Sequence, residues 1–404
     1  RIAVNLSLLL ACTQPSATDD SEALVRESTP WPEVETERLP EGPGEIEDLF
    51  RDEGIHALAL ELSSSARSDL RSDPYEWVPA DLIVEDFAWP VGVRVKGTST
   101  YQSIDDKPSL KIDFAYQVPT QRFQGLRRVN LHNIDLDPMM SSEVLNWGFF
   151  RAADLPAPRV GYTHLSIDDD ERGLYTIVED IEDDFLKRWF DDPDGNLYEN
   201  AANYCDFTRV SCFDREEDDE GNDDALQALI EASDLSGEAW LAAMQARMDW
   251  DRFTGFLAME RTIAHWDSYS FDLSNYRVYH DPTADDFAFI PWSGDLGFGY
   301  RPWSYYDCGK HGVDPATYDM GKLADACERV PECHDAVLDK MLDHAQMLED
   351  MQPGDMVLAA LDRVRSSAED ERRDMDHFEE HGRCVEAWLR QRPEEVRGWV
   401  QANR

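Results

Sequence analysis

The chain has 404 residues, with 84 Asp and Glu against 38 Lys and Arg and a formal net charge of −46. Such a charge repels nucleic acid and anionic membrane surfaces, which argues against recognition through a basic patch. With 42% hydrophobic residues, including 12 Trp, 14 Tyr and 17 Phe, the chain can bury a substantial core, so global disorder is excluded and one bilobal domain or two domains are expected.

Residues 1–12, RIAVNLSLLLAC, set a basic residue ahead of a short apolar run that ends in Leu-Leu-Ala-Cys. The run is too short to span a bilayer and has the outline of a bacterial lipoprotein signal, with Cys12 as the lipidated residue. Residues 13–45 are rich in Pro, Ser, Thr and Glu and read as a solvated tether. The expectation is an exported envelope lipoprotein, at the outer membrane or cell surface, that touches the membrane only through its anchor. Six further cysteines remain: Cys205, Cys212, Cys308, Cys327, Cys333 and Cys384. They are even in number and lack C-x-x-C pairs or interleaved histidines, so disulfides are expected and zinc is not. Cys205 with Cys212 would close the local loop NYCDFTRVSC; the pairing of the other four stays open.

Beyond the tether, strand character marks IHALALEL (55–62), ADLIVEDF, VGVRVKG and LKIDFAY, with a short helix in SSSARSDLRSD. Helical spacing follows in MMSSEVLNWGFFRAAD (139–154), stopped by Pro156 and Pro158. YTHLSID and GLYTIVED form a strand pair about an acidic turn. From 181 onward helices are expected to dominate: IEDDFLKRWF, DDALQALIEASD, WDRFTGFLAMERTIAHW and the terminal VEAWLRQRPEEVRGWV. The fold class is therefore α+β, a mixed-sheet lobe over residues 46–180 leading into a mostly helical lobe over 181–404, with a ligand site between them.

VRVKGTSTYQSIDDKPSLKIDF, LHNIDLDP with the helix and DLPAPRVGYTHLSID behind it, ERGLYTIVEDIEDDFLKRWF, and NYRVYHDP with FIPWSGDLGFG occur in the order found in the CotH family, the spore-coat-H-like atypical protein kinases. The resemblance covers about 55–300 and extends to the closing LRQRPEEVRGWV. It implies a divergent kinase fold that binds ATP with a divalent metal, Mg2+ or Mn2+, and phosphorylates Ser or Thr in proteins. A monomer is expected.

Phosphoryl transfer needs cations on the phosphates, metal-holding oxygens and an acid that accepts the hydroxyl proton. The loop GTSTYQS (97–103), with Gly97 and Ser99, is small enough for backbone approach to phosphates, although alone it is an ordinary turn. Lys107 and Lys111 alternate along DKPSLKIDF as candidate phosphate ligands; lysines at strand ends are otherwise merely solvated. Glu179 ends an apolar strand where the resemblance puts the crossover between lobes, so residues 178–180 would meet adenine and Glu179 could orient a lysine or the purine edge. Glu143 is the alternative lysine partner, or simply a favourable acid in a helix first turn. The resemblance favours Asp267 as the catalytic base over Asp272 and His265, with Asn275 as a metal ligand.

IPWSGDLGFGY (290–300) isolates Asp295 among glycines, as a metal ligand would be isolated. Here the chain departs from the family, in which two acids bracket one residue after the Trp; Ser293 stands in place of the first and would be a weaker, neutral ligand. An arginine often found early in the preceding helix is also missing, at Ser141 and Ser142. DDPDGNLYE (191–199) and DREEDDEGNDD (214–224) lack calcium-loop spacing and read as a turn and a solvated loop. Two other classes compete: a non-catalytic surface binding or adhesion module, and a transferase acting on another hydroxyl such as that of a glycan.

Overall fold

In the computed structural model, which describes residues 49–50, 54–84, 87–200, 205–215, 222–300 and 320–404, seven strands wind into a closed barrel. They are β1 (Ile55–Glu61), β2 (Val78–Val84), β3 (Phe87–Lys96), β4 (Ser109–Asp113), β5 (Arg128–His132), β6 (Val160–Ile167) and β7 (Asp170–Glu179). Around the barrel the order is β1-β2-β3-β4-β5-β7-β6, and only the closing pair of β6 with β1 is parallel. Helix α1 (Ser64–Ser72) follows β1, its first turn capped by the Ser63 hydroxyl, and α2 (Ser142–Ala152) links β5 to β6.

Alternation along the strands decides what the barrel holds and what it presents. Val93, Ile112 and Val129 form one cross-strand row, and Val95, Leu110, Leu131 and Ile177 the next; all seven belong to one buried apolar cluster. The intervening positions Arg94, Lys111 and Asn130 pair in their own row, with Lys96 and His132 one step further along. The same pleat that fills the barrel thus turns a line of polar side chains to its outer face.

The chain continues through α3 (Asp183–Trp189), β8 (Asn196–Asn200), β9 (Phe213–Arg215), α4 (Asp224–Ser233), α5 (Gly237–Gln245), α6 (Trp250–Thr262), α7 (Tyr269–Asp272), β10 (Tyr276–Asp281) and β11 (Asp286–Pro291). It closes with α8 (Lys322–Arg329), α9 (Pro331–Met351), α10 (Pro353–Asp370) and α11 (Met375–Asn403). A second sheet, ordered β11-β10-β8-β9, stands within the stretch expected to be mostly helical. Its shortest strands, β8 and β9, escape a periodicity search because pairing, not local pattern, makes them strands. A second apolar cluster joins α2, α6, α9, α11 and this sheet through Trp147, Phe256, Phe289, Met341 and Leu389. Gly42–Arg404 forms one compact unit.

Two expected boundaries move. Helix α6 stops at Thr262, short of Trp266, where Ala264 takes a positive φ of 55° and turns the chain into a loop. Lys107 lies in the turn before β4, so it does not alternate with Lys111 on a strand. Cys205 is bonded to Cys212, Cys327 to Cys333, and Cys384 is disulfide-bonded too. Residues 1–48, with Cys12 and the whole of the expected tether, Cys308 and residues 216–221 lie outside the described residues. No described helix is long and apolar enough to cross a membrane.

Glu371, just past α10, ties the terminal helices to the barrel: it pairs with Lys107 Nζ at 2.8 Å, accepts the Leu174 N–H at 2.5 Å and takes a bond from Arg373 Nε at 3.3 Å. Gly173 leaves space for this approach, since a Cβ there would sit 2.3 Å from Glu371 Oε1. Glu371→Ala strands Lys107. With side-chain exposures of 19% and 15%, the loss should be about 2–3 kcal/mol, below the value for a fully buried pair. Urea denaturation should show a lower midpoint; an unchanged midpoint would mean that the clamp contributes no stability.

Candidate active site

The polar outer face of the barrel meets α2 and the β10–β11 hairpin. Lys96, the last residue of β3, sets its Nζ 2.6 Å from His132 Nε2, and His132 Nδ1 lies 2.9 Å from Glu143 Oε1. An ammonium only donates and a carboxylate only accepts, so the His132 tautomer that serves both carries its proton on Nδ1. Glu143 also accepts from Thr176 Oγ1 at 2.6 Å and Trp147 Nε1 at 3.4 Å. Burial pushes this carboxyl up, but His132 and then Thr176 outweigh it and hold the carboxyl below its ordinary range. Burial pulls the Lys96 ammonium down to about 7, and the charge of Asp180 offsets only part of this.

Lys111 occupies the same face. Its Nζ lies 2.6 Å from Asp180 Oδ2, and Asn130 Nδ2 donates to Asp180 Oδ1 at 2.9 Å. Against the upward push of burial, Lys111 and Arg277 hold Asp180 well below the usual carboxylate range. The next acid, Glu182, is pushed up to about 8 by burial and then by Asp180, although Arg128 Nη1 reaches it at 2.8 Å. Trp292 roofs the cluster: Lys96 Nζ sits 4.8 Å and the Arg277 guanidinium 5.2 Å from its ring centre, and His132 meets it edge-on.

Beyond Trp292 the chain makes the glycine-framed turn. Ser293, at a positive φ of 54°, donates its hydroxyl to Asp295 Oδ1 at 2.9 Å. Close packing on α2 explains the glycines: a Cβ on Gly294 would meet Trp147 at 2.9 Å, and one on Gly297 would meet Asn146 Nδ2 at 2.1 Å. Asn146 donates to the Gly294 carbonyl, while its own Oδ1 is buried with no protein partner. Burial, then the charge of Glu143, raises Asp295 to about 6. Asp137, which accepts from Met139 N, Ser142 N and Ser142 Oγ at the start of α2, is raised to about 7 chiefly by burial. Ser141 and Ser142 are buried in that capping arrangement, Ser141 Oγ accepting from Tyr162.

The loop after α6 reaches the turn from the other side. His265 Nε2 donates to the Ser293 carbonyl at 3.0 Å, which leaves its buried Nδ1 without a partner, and Asp267 lies within its electrostatic reach. Asp267 Oδ1 accepts from Ser274 at 3.1 Å; Asn275 Nδ2 donates to the Asp267 carbonyl at 2.8 Å, and the Asn275 carbonyl accepts from Trp292 N at 2.9 Å. Glu260, fully buried on α6, anchors this loop by accepting from Tyr269 N and Ser270 N, both at 3.1 Å, and from Ser270 Oγ.

Asp267, Asn275, Ser293 and Asp295 therefore form one connected set, with Lys96 and Lys111 on the facing barrel wall. Gly97 follows Lys96 with a positive φ of 92°, its carbonyl bonded to Tyr75; Ser99 is exposed in the turn behind it. Two other candidates are engaged elsewhere, Lys107 by Glu371 and Glu179 by Arg159 at 2.6 Å and by Arg188. Lys96 and His132 were missed as site residues, and Asp180 was expected to act only through its backbone. The alternation in VGVRVKG and RVNLH was the available signal, because it puts Lys96 and His132 on the face opposite the valines and leucines.

No group of three His, Cys, Asp or Glu side chains converges as a metal cage among the described residues. The donors near the turn are nevertheless all oxygens: the Asp295 carboxylate, the Ser293 hydroxyl, the Asn275 amide and the unpartnered Asn146 Oδ1. Asp295 has a neutral hydroxyl as its hydrogen-bond partner and a carboxylate as its strongest charged neighbour. Oxygen donors with uncompensated negative charge suit a hard cation that keeps some ligands from water or phosphate.

Half-buried Lys96 and Lys111 on the barrel and the oxygen donors of the Ser293–Asp295 turn thus both lie beside Trp292. The chain belongs to the CotH kinase family: the description CotH kinase protein matches residues 93–342, well over half of its length. No curated protein matches it. Among solved structures, it is similar to the Shewanella oneidensis MR-1 toxin–antitoxin complex of HipA, HipB and operator DNA, at 12% identity and a TM-score of 0.34 over 68% of this chain and 59% of that one. It is also similar to the Helicobacter pylori proinflammatory kinase CtkA, at 9% identity and a TM-score of 0.28 over 68% of this chain and 90% of that one. The chain thus spans less than two thirds of the first structure's length, and likenesses this remote carry no weight for the site.

Two outcomes test the geometry. Gly297→Ala should lower stability by about 1–3 kcal/mol through overpacking against Asn146. Gly148→Ala, with open space around it on α2, should not destabilise. Equal urea midpoints for the two variants would refute the packing account. The second outcome concerns Glu260, which burial raises to about 7. Between its ordinary value and 7 the unfolded chain has lost the proton that the folded chain keeps, so this group's contribution to stability falls as pH rises through that window. Glu260→Gln cannot titrate. The stability advantage of wild type over that variant should therefore shrink by about 2–3 kcal/mol from pH 5 to pH 8, measured by urea titration at each pH.

Proposed function

We propose that this protein is an exported ATP-dependent kinase that transfers the γ-phosphoryl group to Ser or Thr hydroxyls of surface or extracellular proteins. The observation that carries the reading is the Lys96–His132–Glu143 chain set against the Asp295 turn. It reproduces the requirement of protein kinases for a β3 lysine held by a helix acid beside a metal-binding acid, here with a histidine between lysine and acid. In this reading the barrel is the N-lobe, the helices with the second sheet are the C-lobe, and nucleotide lies between them. Membership of the CotH kinase family and the disulfides support kinase chemistry in an oxidising compartment.

The roles follow from the donors present. Lys96 and Lys111 hold phosphate oxygens, and the Gly97–Ser99 loop covers them with backbone N–H groups. Asp295 with Asn275 and Ser293 would hold Mg2+ or Mn2+, whose chemistry when bound is to neutralise charge on the β- and γ-phosphates. Asp267 accepts the acceptor hydroxyl's proton. His265, through the Ser293 carbonyl, fixes the turn against the loop that carries Asp267. Lys107 and Glu179 receive no role, because Glu371 and two arginines take their charges. A non-catalytic binding module is the second reading, and Ser293 favours it: a neutral hydroxyl stands where the family resemblance implies an acid.

Isothermal titration with ATP and Mg2+ or Mn2+, paired with transfer to an acceptor protein, separates the readings. Lys96→Ala and Asp295→Ala should each abolish metal-dependent binding. Asp267→Ala should bind nucleotide while transfer falls by roughly 100-fold or more, the usual scale of a lost acid–base group. Ser293→Asp should raise turnover. If neither wild type nor Ser293→Asp binds ATP with either metal, the binding-module reading replaces the kinase.

A further inference from the structure

One turn of α11 reaches both halves of the candidate site. Arg392, 4% exposed, donates from Nε to the Thr262 carbonyl at 2.7 Å and from Nη2 to the Arg261 carbonyl at 2.6 Å. A helix leaves its final four carbonyls without partners inside the helix. At the end of α6, Met259 accepts the Ile263 N–H and Glu260 the His265 N–H, both at 3.0 Å, and Arg392 takes the last two carbonyls. A guanidinium suits this place, because its fork spans neighbouring oxygens and its charge opposes the negative end of the helix dipole. Its contact to the exposed Glu395, 3.5 Å from Nη1, is a long one.

The next two carbonyls turn the other way: Ile263 accepts the Phe298 N–H at 2.9 Å and Ala264 the Gly299 N–H at 3.1 Å. The carbonyls of 261 to 264 are thus divided between α11 and the glycine-framed turn. Trp388, one helical turn before Arg392, carries the guanidinium 4.8 Å from its ring centre and lies 6.2 Å, ring to ring, from Phe298. Trp388 therefore bears on the turn that holds Asp295, while Arg392 bears on the end of α6, five residues ahead of Asp267.

We propose that Arg392 is a positioning residue: through the Arg261 and Thr262 carbonyls it sets where the Asp267 loop stands relative to Asp295. The proposal rests on the role given to Asp267 above, but the hold on the loop is measurable without phosphotransfer. Lys96 and Lys111 stand on the barrel, and α2 packs directly on Gly294 and Gly297. Loss of Arg392 should therefore leave nucleotide binding in place and fall on the transfer step, where a displacement of about 1 Å is worth roughly 100-fold in rate.

Arg392→Gln in the full chain tests this by two readouts. In hydrogen exchange followed by mass spectrometry, the amides of His265, Phe298 and Gly299 should exchange about tenfold faster than in wild type, while those of β3 to β5 keep their rates. In transfer from Mn2+–ATP to dephosphorylated casein, kcat should fall about tenfold or more with the KM for ATP within about threefold of wild type. Arg392→Lys, which keeps the charge but loses the fork, should lie between the two and remains readable if the glutamine variant does not fold. Arg397→Gln, which removes a bond from the same helix to Gln346 and Glu349 on α9, should match wild type in both readouts. Unchanged loop exchange would overturn the proposal, as would exchange that rises equally throughout the chain, since that marks a residue that only stabilises the fold. A KM for ATP that rises as far as kcat falls, or an unchanged kcat despite a loosened loop, would overturn it too. No transfer by wild type, with loop exchange raised in Arg392→Gln, would support the hold on the loop and count against the kinase reading alone.

Discussion

Glu143 is an ionised carboxylate with 4% exposure, and much of the site follows from how its charge is met. A buried charge left unpaired would cost several kcal/mol, roughly the whole margin of stability of a domain. Three donors from three elements answer it: His132 on β5, Thr176 on β7 and Trp147 on α2 itself. Helix α2 is thereby fixed in position and rotation against the barrel. Through His132 the same carboxylate holds Lys96, and through space it raises Asp295. One carboxylate thus links the Lys96 ammonium to the Asp295 turn.

That linkage explains why a chain with 84 acidic residues isolates one among glycines. Surface acids sit in high dielectric and hardly feel one another, whereas Asp295 is half-buried and near another carboxylate, where the same charge is more expensive. The glycines let the turn approach α2 closely enough for this to happen. Asp137, Asp295 and Glu182 all carry raised carboxyls around one face, while Lys96 is lowered. Such a site is preorganised against its own stability, as binding and catalytic sites commonly are.

The barrel strands were legible because valine and leucine alternate with charge in VGVRVKG and LKIDF, and that pattern has one solution in a half-buried strand. The five-residue β5 hid inside LHNIDLDP and its approach, and β8 and β9 are made by pairing with a distant partner. Asp267, Asn275, Ser293 and Asp295 could be nominated because loops at strand ends and glycine-framed acids announce themselves locally. For Lys96 alternation gives only the face it occupies; its partners His132 and Glu143 lie 36 and 47 positions further on. Lys107 misled for the converse reason: its partner Glu371 stands 264 residues away, and proximity to Lys111 in sequence says nothing about shared direction once a turn intervenes.

The account stands on Lys96 and Asp295 facing one bound metal–nucleotide. Anomalous diffraction from crystals grown with Mn2+ and a non-hydrolysable ATP analogue measures this most directly. The account predicts an anomalous peak within bonding distance of an Asp295 carboxylate oxygen, with a phosphate oxygen against Lys96 Nζ. Nucleotide ordered away from Lys96, or manganese bound only at surface acids, would contradict it.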